Sequence, residues 1–349
     1  MKAYILRAVN QFKLEDAPLP DLKSGEVLVK VMAAGICGSD IPRVYQTGAH
    51  VHPIVIGHEF SGKVVKVAAG VDDKWLDKPV GIFPLIPCRE CGPCQNKQYE
   101  MCRNYSYLGS RTDGGFAEYV AVPKECLIEL PQSVSFEAAA MLEPMAVAVH
   151  AMRRIEPGKK DNVVVCGLGT IGLFLTLFLK ENGVENLFVI GNKEFQKERI
   201  LAMGISREHY CDMRTQDVSE WIKQRTGGRG ADVFFECVGK KETFSQAVDL
   251  AAPAGKVMLV GNPHSDMELE KAVYWKILRN QLTVKGTWNS SFTGDADDDW
   301  HYVLDVLTRG RIAPEQLITH RFTLDDLEHG FHIMRDKSED YIKIMGVFS

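Results

Sequence analysis

Three side chains in the first sixty residues offer the donor atoms of a metal site. The motif GICGSD supplies the thiolate of Cys37, and the motif GHE supplies the imidazole of His58 and the carboxylate of Glu59. Zinc with three protein ligands and one open position polarises an oxygen and lowers the pKa of a bound hydroxyl. Taken singly, the three residues also fit a small buried cysteine, a core histidine and a surface glutamate. Taken together, and with Ser39 two residues beyond the thiol, they predict a catalytic zinc that assists hydride removal from an alcohol.

A second cluster contains only cysteines: Cys88, Cys91, Cys94 and Cys102, spaced C-x2-C-x2-C-x7-C. Four thiolates at such spacings close a tetrahedral zinc site with no open position, which predicts a structural ion. An iron–sulfur cluster is the alternative, although in ferredoxins a Cys-Pro pair usually ends such a run, whereas Arg103 follows here. The segment has almost no large aliphatic residues, so we expect the metal to supply much of its folding energy.

A further carboxylate follows in a helical pattern over residues 135–155. Ser135 is a candidate N-cap. Glu143 precedes Pro144, and because a residue before proline is disfavoured in the α region, we expect the helix to be interrupted there. A carboxylate at such a break can point into a cavity. Glu143 is therefore a candidate zinc ligand or a partner of zinc-bound water, and a solvated surface glutamate is the alternative.

The next segment predicts a dinucleotide site. A buried strand over residues 162–166 (NVVVC) precedes GLGTIG, which opens an apolar helix. Between strand and helix, these glycines allow a tight turn, approach of the pyrophosphate and close helix packing. The candidate cofactor contacts are Gly167, Gly169, Thr170, Ile171 and Gly172. Strands predicted at 186–190, 233–237, 256–260 and 282–285 alternate with helices centred near 200, 221, 248 and 277, which indicates a doubly wound parallel sheet.

The end of the second of these strands bears on the choice of cofactor. A carboxylate there would bind the adenosine ribose and repel a 2′-phosphate. The chain instead has Gly191, Asn192 and Lys193, and the latter two can bind phosphate. This favours NADP(H) over NAD(H). Two alternatives stay open: Glu194 could serve as the ribose ligand, which would restore NAD, and Lys193 could be an ordinary surface lysine.

Composition sets the remaining limits. The 349 residues are 45% hydrophobic and 25% charged with a net charge of −5, as in an ordinary globular protein, and no basic block favours nucleic acid as a partner. No stretch resembles a membrane span or a signal peptide, which predicts a cytoplasmic protein whose nine cysteines bind metal or stay as thiols. Alternating runs at 27–32, 61–67 and 117–122 predict a distorted β-barrel, and strands are also expected near 321 and at 343–347.

The combination of GICGSD, GHEFSG, the four-cysteine segment, DGGFAEY, LEPMAVAVHA and GLGTIG resembles the zinc-dependent medium-chain alcohol dehydrogenases over essentially the whole chain. CGSDIPR, YLGSRTDGGFAEY and KILRNQLTVKGTWN resemble the polyol branch of that family, in particular galactitol-1-phosphate 5-dehydrogenases. The resemblance implies an α/β fold with a GroES-like zinc catalytic domain over residues 1–150, a Rossmann domain over 151–288, and a C-terminal segment over 289–349 that returns to the catalytic domain.

The resemblance also implies roles for the candidate residues. Cys37, His58 and Glu59 would bind or approach the catalytic zinc, Glu143 would hold or exchange with its water, and Ser39 would take the substrate proton. Many relatives continue the proton relay through a histidine at the position of Pro42. Without that histidine, protons would leave through water or the cofactor ribose.

The predicted activity is oxidation of a secondary alcohol of a polyol to its ketone with NAD(P), and the reverse reaction. The resemblance points to a sugar-alcohol phosphate such as galactitol 1-phosphate. Candidate substrate contacts are Arg43, Arg111, His50 and His52 for the phosphate, with Trp288 and Asn289 as pocket residues; solvated charges and a core tryptophan are the alternatives. Competing functions are a dehydrogenase of unphosphorylated polyols, diols or L-threonine, and a non-enzymatic NADPH-binding protein. The family implies a homo-oligomer, a dimer or a tetramer.

Overall fold

The computed structural model describes residues 1–263 and 265–348. The chain divides into two compact units, one formed by Met1–Pro144 together with the segment from Ser291 onward, and the other by Met145–Ser290. Within the described ranges, no helix is both long and apolar enough to cross a membrane.

The first unit begins with short strands. They are Lys2–Ala8 (β1), Gln11–Asp16 (β2), Glu26–Ile36 (β3), Ile54–Val55 (β4), Glu59–Val67 (β5), Pro79–Ile82 (β6), Leu85–Ile86 (β7), Ser106–Tyr107 (β8), Tyr119–Pro123 (β9) and Leu127–Glu129 (β10). The helices of this part are Asp40–Pro42 (α1), Gly92–Gln95 (α2) and Phe136–Ala140 (α3), with a π-helical turn at Arg43–Thr47 and 3₁₀ turns at Asp73–Trp75, Tyr99–Met101 and Lys124–Cys126.

The helix predicted over residues 135–155 is divided, but not where the sequence suggested. Ser135 caps α3 by accepting a hydrogen bond of 3.1 Å from the Ala138 amide. The chain leaves the helix at Met141 and re-enters it as Leu142–Ile155 (α4). The predicted interruption at Glu143-Pro144 was therefore wrong in position. Pro144 lies in the first turn of α4, where its missing N–H is not needed for an intrahelical bond.

The second unit is a doubly wound sheet. Its strands are Asn162–Cys166 (β11), Asn186–Gly191 (β12), Tyr210–Asp212 (β13), Ala231–Glu236 (β14), Ala251–Leu259 (β15) and Thr283–Gly286 (β16). The intervening helices are Thr170–Glu181 (α5), Glu194–Ala202 (α6), Val218–Arg225 (α7), Lys241–Leu250 (α8) and Lys271–Arg279 (α9), with a 3₁₀ turn at Arg207–His209.

These six strands pair in parallel in the order β13-β12-β11-β14-β15-β16. This order places the strand–glycine–helix motif at the centre of the sheet, where dinucleotides bind in such folds. Buried Val164, Phe188, Phe234 and Val257 belong to one core cluster of the unit. The predicted α/β class and the Rossmann sheet are confirmed, although β13 was not predicted because three residues give no periodicity.

The last part of the chain supplies Asp299–Thr308 (α10), Ile318–Phe322 (β17), Leu327–Asp336 (α11) and Lys343–Val347 (β18), with a 3₁₀ turn at Pro314–Leu317. The strand β18 pairs antiparallel with β3 and parallel with β17. This completes a seven-stranded sheet in the order β10-β6-β5-β3-β18-β17, with β9 paired to β3. A three-stranded sheet, β2-β1-β4, and the pair β7-β8 accompany it.

The acidic run before α10 includes two buried carboxylates. Asp298 and Asp299 are buried, at 6% and 2% exposure. Asp298 caps α10 by accepting a hydrogen bond of 2.8 Å from the His301 amide. Asp298 and Asp299 also fix the preceding loop by accepting hydrogen bonds from backbone amides, such as that of Thr293.

Candidate active site

The predicted zinc donors meet where β3 ends and β5 begins. Gly35 of β3 pairs with Glu59 of β5, and Cys37 follows β3 directly while His58 precedes β5. One ligand atom from each of Cys37, His58 and Glu59 lies within 4.8 Å of the other two. A thiolate, an imidazole and a carboxylate at this separation suit zinc. Residues that are about twenty positions apart in sequence are thus brought together by one strand pair.

A buried carboxylate that sequence reasoning missed organises this group. Asp40 is fully buried and accepts a hydrogen bond of 3.0 Å from the Cys37 amide. Its Oδ1 lies 3.5 Å from Nδ1 of His58, and no described residue gives this nitrogen a closer hydrogen-bond partner. Asp40 also forms an ion pair with Arg43. Metal-binding histidines commonly present their second nitrogen to a carboxylate, so Asp40 is placed to orient His58.

Opposite charges in this cluster stabilise the charged forms of Asp40 and His58. Burial acts to raise the pKa of Asp40, but His58 and Arg43 outweigh it and hold the pKa below its usual value. Burial acts to lower the pKa of His58, but Asp40 and Cys37 outweigh it and hold that pKa well above its usual value. Asp40 stands in the motif GICGSD, immediately after Ser39, and that proximity was the signal by which it could have been found.

Glu59 has a buried partner of its own, Lys343 of β18. Their side chains form an ion pair at 2% and 1% exposure, and Lys343 Nζ also donates to the Ile36 carbonyl at 3.1 Å. Gly35 is required beside them, because a Cβ at that position would lie 2.5 Å from Glu59 Oε2. Lys343 was not singled out from the sequence; its signal was a lysine opening an otherwise apolar strand.

Glu143 is buried, at 8% exposure, which makes the alternative of a solvated surface glutamate wrong. It accepts a hydrogen bond of 3.1 Å from Tyr107, whose ring centroid lies 5.8 Å from that of His58. Burial raises the pKa of Glu143 to about 7, opposed by His58 and reinforced by Glu59. Among the described residues, the donor group within 4.8 Å does not include Glu143. It therefore stands next to the ligand set and is held there by Tyr107, a residue the sequence did not indicate.

Ser39 lies beside the same donors. Its Oγ is within hydrogen-bonding distance of Cys37 Sγ, at 3.3 Å. Pro42, where the resemblance led us to expect a relay histidine, ends α1. The Ser39 hydroxyl is thus next to the metal donors, without an imidazole three residues further on.

Cationic side chains gather near this group. Arg43 is largely buried at 17% side-chain exposure and is linked to His58 through Asp40. The Arg111 guanidinium lies 4.8 Å from the Tyr105 ring centroid, and its Nε is buried without a hydrogen-bond acceptor in the described part of the chain. Burial, then Arg111 and Arg43, lower the pKa of His50. Two arginines and a histidine therefore act on the same small region.

The remaining candidate for phosphate binding, His52, contacts the backbone instead. Its Nε2 lies 3.3 Å from the Ala49 amide, within hydrogen-bonding distance. Trp288 is 57% exposed, so the alternative of a core tryptophan is wrong. Asn289 adopts a positive φ of 54° and accepts a hydrogen bond of 2.8 Å from the Ser290 amide.

The four-cysteine segment brings its sulfurs together. Cys88, Cys91, Cys94 and Cys102 have ligand atoms within 4.8 Å of one another. Four of the sulfur–sulfur distances are 3.4, 3.5, 3.9 and 3.9 Å. Sulfurs about 2.3 Å from one tetrahedral centre lie about 3.8 Å apart, so the geometry suits zinc. Backbone amides, first that of Arg103, lower the pKa of Cys91 to about 6, which favours the thiolate a metal needs. The other cysteines lie outside this cluster: Cys126, Cys166 and Cys211 are buried and Cys237 is partly buried.

The glycine motif has the backbone that dinucleotide binding needs. Gly167 follows β11 with φ of 99°, and a Cβ at Gly172 would lie 1.9 Å from the Gly167 carbonyl oxygen. Gly169 is the N-cap of α5, whose first residues are Thr170 and Ile171. The two glycines thus permit both the turn and the close approach of helix to strand.

At the end of β12, Gly191 is buried whereas Asn192 and Lys193 are exposed. Glu194, the alternative ribose ligand, forms ion pairs with Lys197 at 2.6 Å and with Arg214 at 3.2 Å. These two cations lower the pKa of Glu194, Lys197 more than Arg214. The carboxylate that could have favoured NAD is therefore already engaged.

Comparison with known proteins agrees with this architecture. Residues 23–132 match the family model of the alcohol dehydrogenase GroES-like domain, and residues 170–309 match that of the zinc-binding dehydrogenase. The chain is 34% identical over 327 residues to galactitol 1-phosphate 5-dehydrogenase of Escherichia coli K12, covering 92% of each chain. It belongs to the zinc-dependent medium-chain polyol dehydrogenases and is an oxidoreductase of the alcohol dehydrogenase type.

Solved structures of relatives share the fold. Galactitol-1-phosphate dehydrogenase from Escherichia coli superposes with a TM-score of 0.92 at 30% identity, covering 99% of this chain and 100% of that one. A dehydrogenase of the zinc-binding type from Sinorhizobium meliloti 1021, bound to NADP, gives 0.89 at 27% identity over 99% and 98% of the two chains. The RspB alcohol dehydrogenase from Escherichia coli CFT073, complexed with NADH, gives 0.90 at 28% identity over 100% and 99%. Relatives of this chain thus bind either nicotinamide cofactor.

Proposed function

We propose that this chain oxidises a secondary alcohol of a phosphorylated sugar alcohol, such as galactitol 1-phosphate, to the ketone, and catalyses the reverse reduction. The observation that carries this proposal is the position of Arg43, which bonds the same carboxylate, Asp40, that faces His58. Arg43 is linked to the zinc donor His58 through a single residue, Asp40. A cation at this separation suits a substrate whose phosphate lies a few carbons from the reacting alcohol. The 34% identity to a galactitol 1-phosphate 5-dehydrogenase supports the same substrate class.

Arg43, Arg111 and His50 are the proposed phosphate contacts. Arg111 has a buried Nε with no acceptor among the described residues, and a buried N–H without a partner is energetically unfavourable. Phosphate would supply that acceptor. Its negative charge would also offset the repulsion between protonated His50 and the two arginines, which adds to the effect of burial in lowering the pKa of His50. Arginine suits phosphate because its planar guanidinium can form two parallel hydrogen bonds.

The catalytic donors are proposed to be Cys37, His58 and Glu59, with Glu143 beside them. A zinc ion held there would supply a Lewis acid that acidifies the alcohol, and a bound nicotinamide cofactor would supply the hydride acceptor. Ser39, 3.3 Å from Cys37 Sγ, receives the alcohol proton. Because Pro42 has no proton to relay, the proton then leaves Ser39 for solvent or the cofactor ribose.

A second zinc is proposed for Cys88, Cys91, Cys94 and Cys102, with a structural role. Four cysteine ligands leave no open position for substrate. The cofactor is proposed to be NADP(H) rather than NAD(H), bound by the glycine motif and by Asn192 and Lys193. This choice is supported by the absence of a side chain at Gly191 and by the ion pairs that occupy Glu194.

The division of labour along the chain is proposed to follow the family. Residues 1–150 and 289–349 would form the catalytic domain, and residues 151–288 the nucleotide-binding domain, with Trp288 and Asn289 contributing to the substrate or nicotinamide pocket. The proposed environment is the cytoplasm.

We also propose that the chain forms a homo-oligomer through the edge of its six-stranded sheet. All four residues of β16 are exposed, and β15 is its one strand neighbour in the described sheet. Six of the fourteen large hydrophobic side chains that are exposed in the described residues fall in the stretch 267–284, which includes β16: Met267, Leu269, Tyr274, Trp275, Leu278 and Val284. Such an edge and patch favour self-association. Val284→Lys should shift the mass measured by light scattering toward the monomer, and an unchanged mass would contradict this interface.

Substrate profiling tests the proposed function. The purified protein, with its metal content assayed, would be given galactitol 1-phosphate, sorbitol 6-phosphate, galactitol, sorbitol and L-threonine, each with NADP⁺ and NAD⁺. We expect the highest kcat/KM for a phosphorylated polyol. Arg111→Gln should lower that kcat/KM by about 10- to 100-fold and leave free polyols unaffected. Equal rates on free sorbitol, or a preference for L-threonine, would contradict the phosphate pocket.

A further inference from the structure

The position that decides between cofactors, Gly191, is closed from the side by an aromatic ring. A Cβ built on Gly191 would lie 2.8 Å from the hydroxyl oxygen of Tyr210 and 3.0 Å from Cε2 of its ring, as well as 2.9 Å from Cδ1 of Leu168. Real Cβ atoms do not approach their neighbours so closely, so a side chain at residue 191 requires both Leu168, whose Cδ1 is the end of a flexible side chain, and Tyr210 to move. Glycine is therefore needed here for space, although its φ is ordinary.

Tyr210 cannot move easily. It opens β13, the neighbour of β12, and is 4% exposed. Its hydroxyl lies 3.4 Å from the Lys193 carbonyl oxygen, within hydrogen-bonding distance. Just beyond it, Asp212 pairs in register with Gly191, and the Met213 amide donates to the Gly191 carbonyl at 3.0 Å. Tyr210 is thus held by its own strand, β13, which pairs with β12, and by the contact of its hydroxyl with the backbone after β12.

The residues that follow β13 present a cation beside the end of β12. Arg214 donates to Asp212 through Nε at 2.8 Å and through Nη2 at 2.5 Å, and Nη2 also donates to Glu194 at 3.2 Å. Its Nη1 has no acceptor within the part of the chain that the structure describes. Two carboxylates thus orient the guanidinium at 43% side-chain exposure, with donors remaining for a ligand.

We propose that Tyr210 and Arg214 are specificity-determining residues for the cofactor, forming a second wall of the 2′-phosphate site opposite Asn192 and Lys193. Tyr210 fills the space that a ribose-binding carboxylate at residue 191 would occupy, and Arg214 contributes a phosphate contact from the turn after β13. This inference rests on the proposed preference for NADP(H). It adds that the preference is fixed by a residue nineteen positions beyond Gly191 in sequence, so that changing Gly191 alone does not reverse it.

The test of Tyr210 measures NADPH and NADH dissociation constants by calorimetry for the full-length protein and four variants. These are Gly191→Asp, Tyr210→Val, and the pairs Gly191→Asp/Tyr210→Val and Gly191→Asp/Tyr210→Phe. We expect Gly191→Asp alone to bind both cofactors more weakly. Adding Tyr210→Val should tighten NADH by about tenfold or more, since the ribose hydroxyls then gain a charged acceptor. Adding Tyr210→Phe should not, because the ring remains.

Circular dichroism and thermal unfolding of each variant establish that the sheet is intact. If Gly191→Asp alone tightens NADH binding as much as Gly191→Asp/Tyr210→Val does, the proposed role of Tyr210 is overturned. A wild type that binds NADH more tightly than NADPH would instead overturn the proposed cofactor, and with it the role of Arg214. The two failures are therefore distinguishable.

Arg214 is tested separately with Arg214→Gln. We expect NADPH to bind about 10- to 100-fold more weakly while NADH is unchanged, because one charge-assisted contact to phosphate is lost. Arg229→Gln is the matched control, since Arg229 forms a comparable ion pair of 2.7 Å with Asp232 in the same unit. It should leave both constants unchanged. Equal weakening of NADPH and NADH by Arg214→Gln would overturn the phosphate contact.

Discussion

Lys343 of β18 forms a buried ion pair with Glu59 of β5, although 284 positions separate them in the sequence. The lysine also donates to the Ile36 carbonyl at 3.1 Å, one residue before Cys37. The last strand of the chain thus contacts the first donor segment through one side chain. In the absence of Lys343, the Glu59 carboxylate would be buried without its cation.

In protein depleted of zinc, Lys343→Met should therefore lower the free energy of unfolding by about 3–5 kcal/mol, since removal of one member of a buried pair leaves an uncompensated charge. The measurement is urea denaturation followed by circular dichroism. Lys343→Met/Glu59→Gln, also depleted of zinc, is the matched control and should lose less than Lys343→Met alone, because the charge of Glu59 is then removed together with its partner. A single variant as stable as wild type would contradict this account of the pair.

The four-cysteine segment should lose its metal when one ligand is removed. For Cys94→Ser we expect the zinc content, measured by plasma mass spectrometry, to fall by one ion per chain and the unfolding temperature to drop, because metal binding supplies folding energy there. Cys126→Ala, a change at a buried cysteine outside the cluster, should retain the full zinc content. Unchanged zinc in Cys94→Ser would rule out the proposed structural site.

Ser39 should matter for turnover and not for metal binding. Ser39→Ala is expected to lower kcat by about 100-fold or more, the usual effect of losing a positioned proton acceptor, with zinc content and cofactor affinity unchanged. Ser39→Thr keeps the hydroxyl and should retain far more activity. If kcat of the alanine variant equals that of wild type, the substrate proton leaves by another route.

The N-terminus of α10 predicts a pH dependence. The hydrogen bond of 2.9 Å between His301 Nδ1 and Asp298 raises the pKa of His301 above its ordinary value of 6.5, with burial acting in the opposite direction. The folded state therefore binds a proton more tightly than the unfolded state. The resulting stabilisation is present below pH 6.5 and is lost as the pH rises through the raised pKa.

Unfolding temperatures of wild type and His301→Gln, measured between about pH 5.5 and pH 8.5, test this. The wild type should exceed the variant by more at the acidic end than at the alkaline end. A difference that is the same at every pH would show that the ion pair makes no contribution to stability.

The sequence predicted those parts of the fold and site that depend on neighbours in the chain. The glycine motif, for example, is explained by the contact of Gly167 with Gly172, five residues away. The position of the helix break was missed because proline in the first turn of a helix and proline that ends one look alike in sequence. The sequence motifs indicated which residue types form the site, and the structure gave the distances between them.

Partners that come from distant strands could not be predicted from spacing. Lys343 reaches Glu59 only because β18 pairs with β3, and that register follows from the whole sheet. Tyr107 likewise donates a hydrogen bond to Glu143, which lies 36 positions away in the sequence. Tyr210 gives no sign, in a strand of three residues, that its ring fills the space beside Gly191. These contacts depend on topology, which periodicity and motif spacing do not specify.

The central claim is that the group formed by Cys37, His58 and Glu59 holds the zinc on which alcohol oxidation depends. The most direct test is to dialyse the protein against a chelator, monitor zinc content and galactitol 1-phosphate oxidation together, and then add zinc back. We expect activity to fall in proportion to the loss of one zinc per chain, while the four-cysteine zinc is retained, and to return when one equivalent is restored. Undiminished oxidation by protein that has lost this zinc would contradict the account.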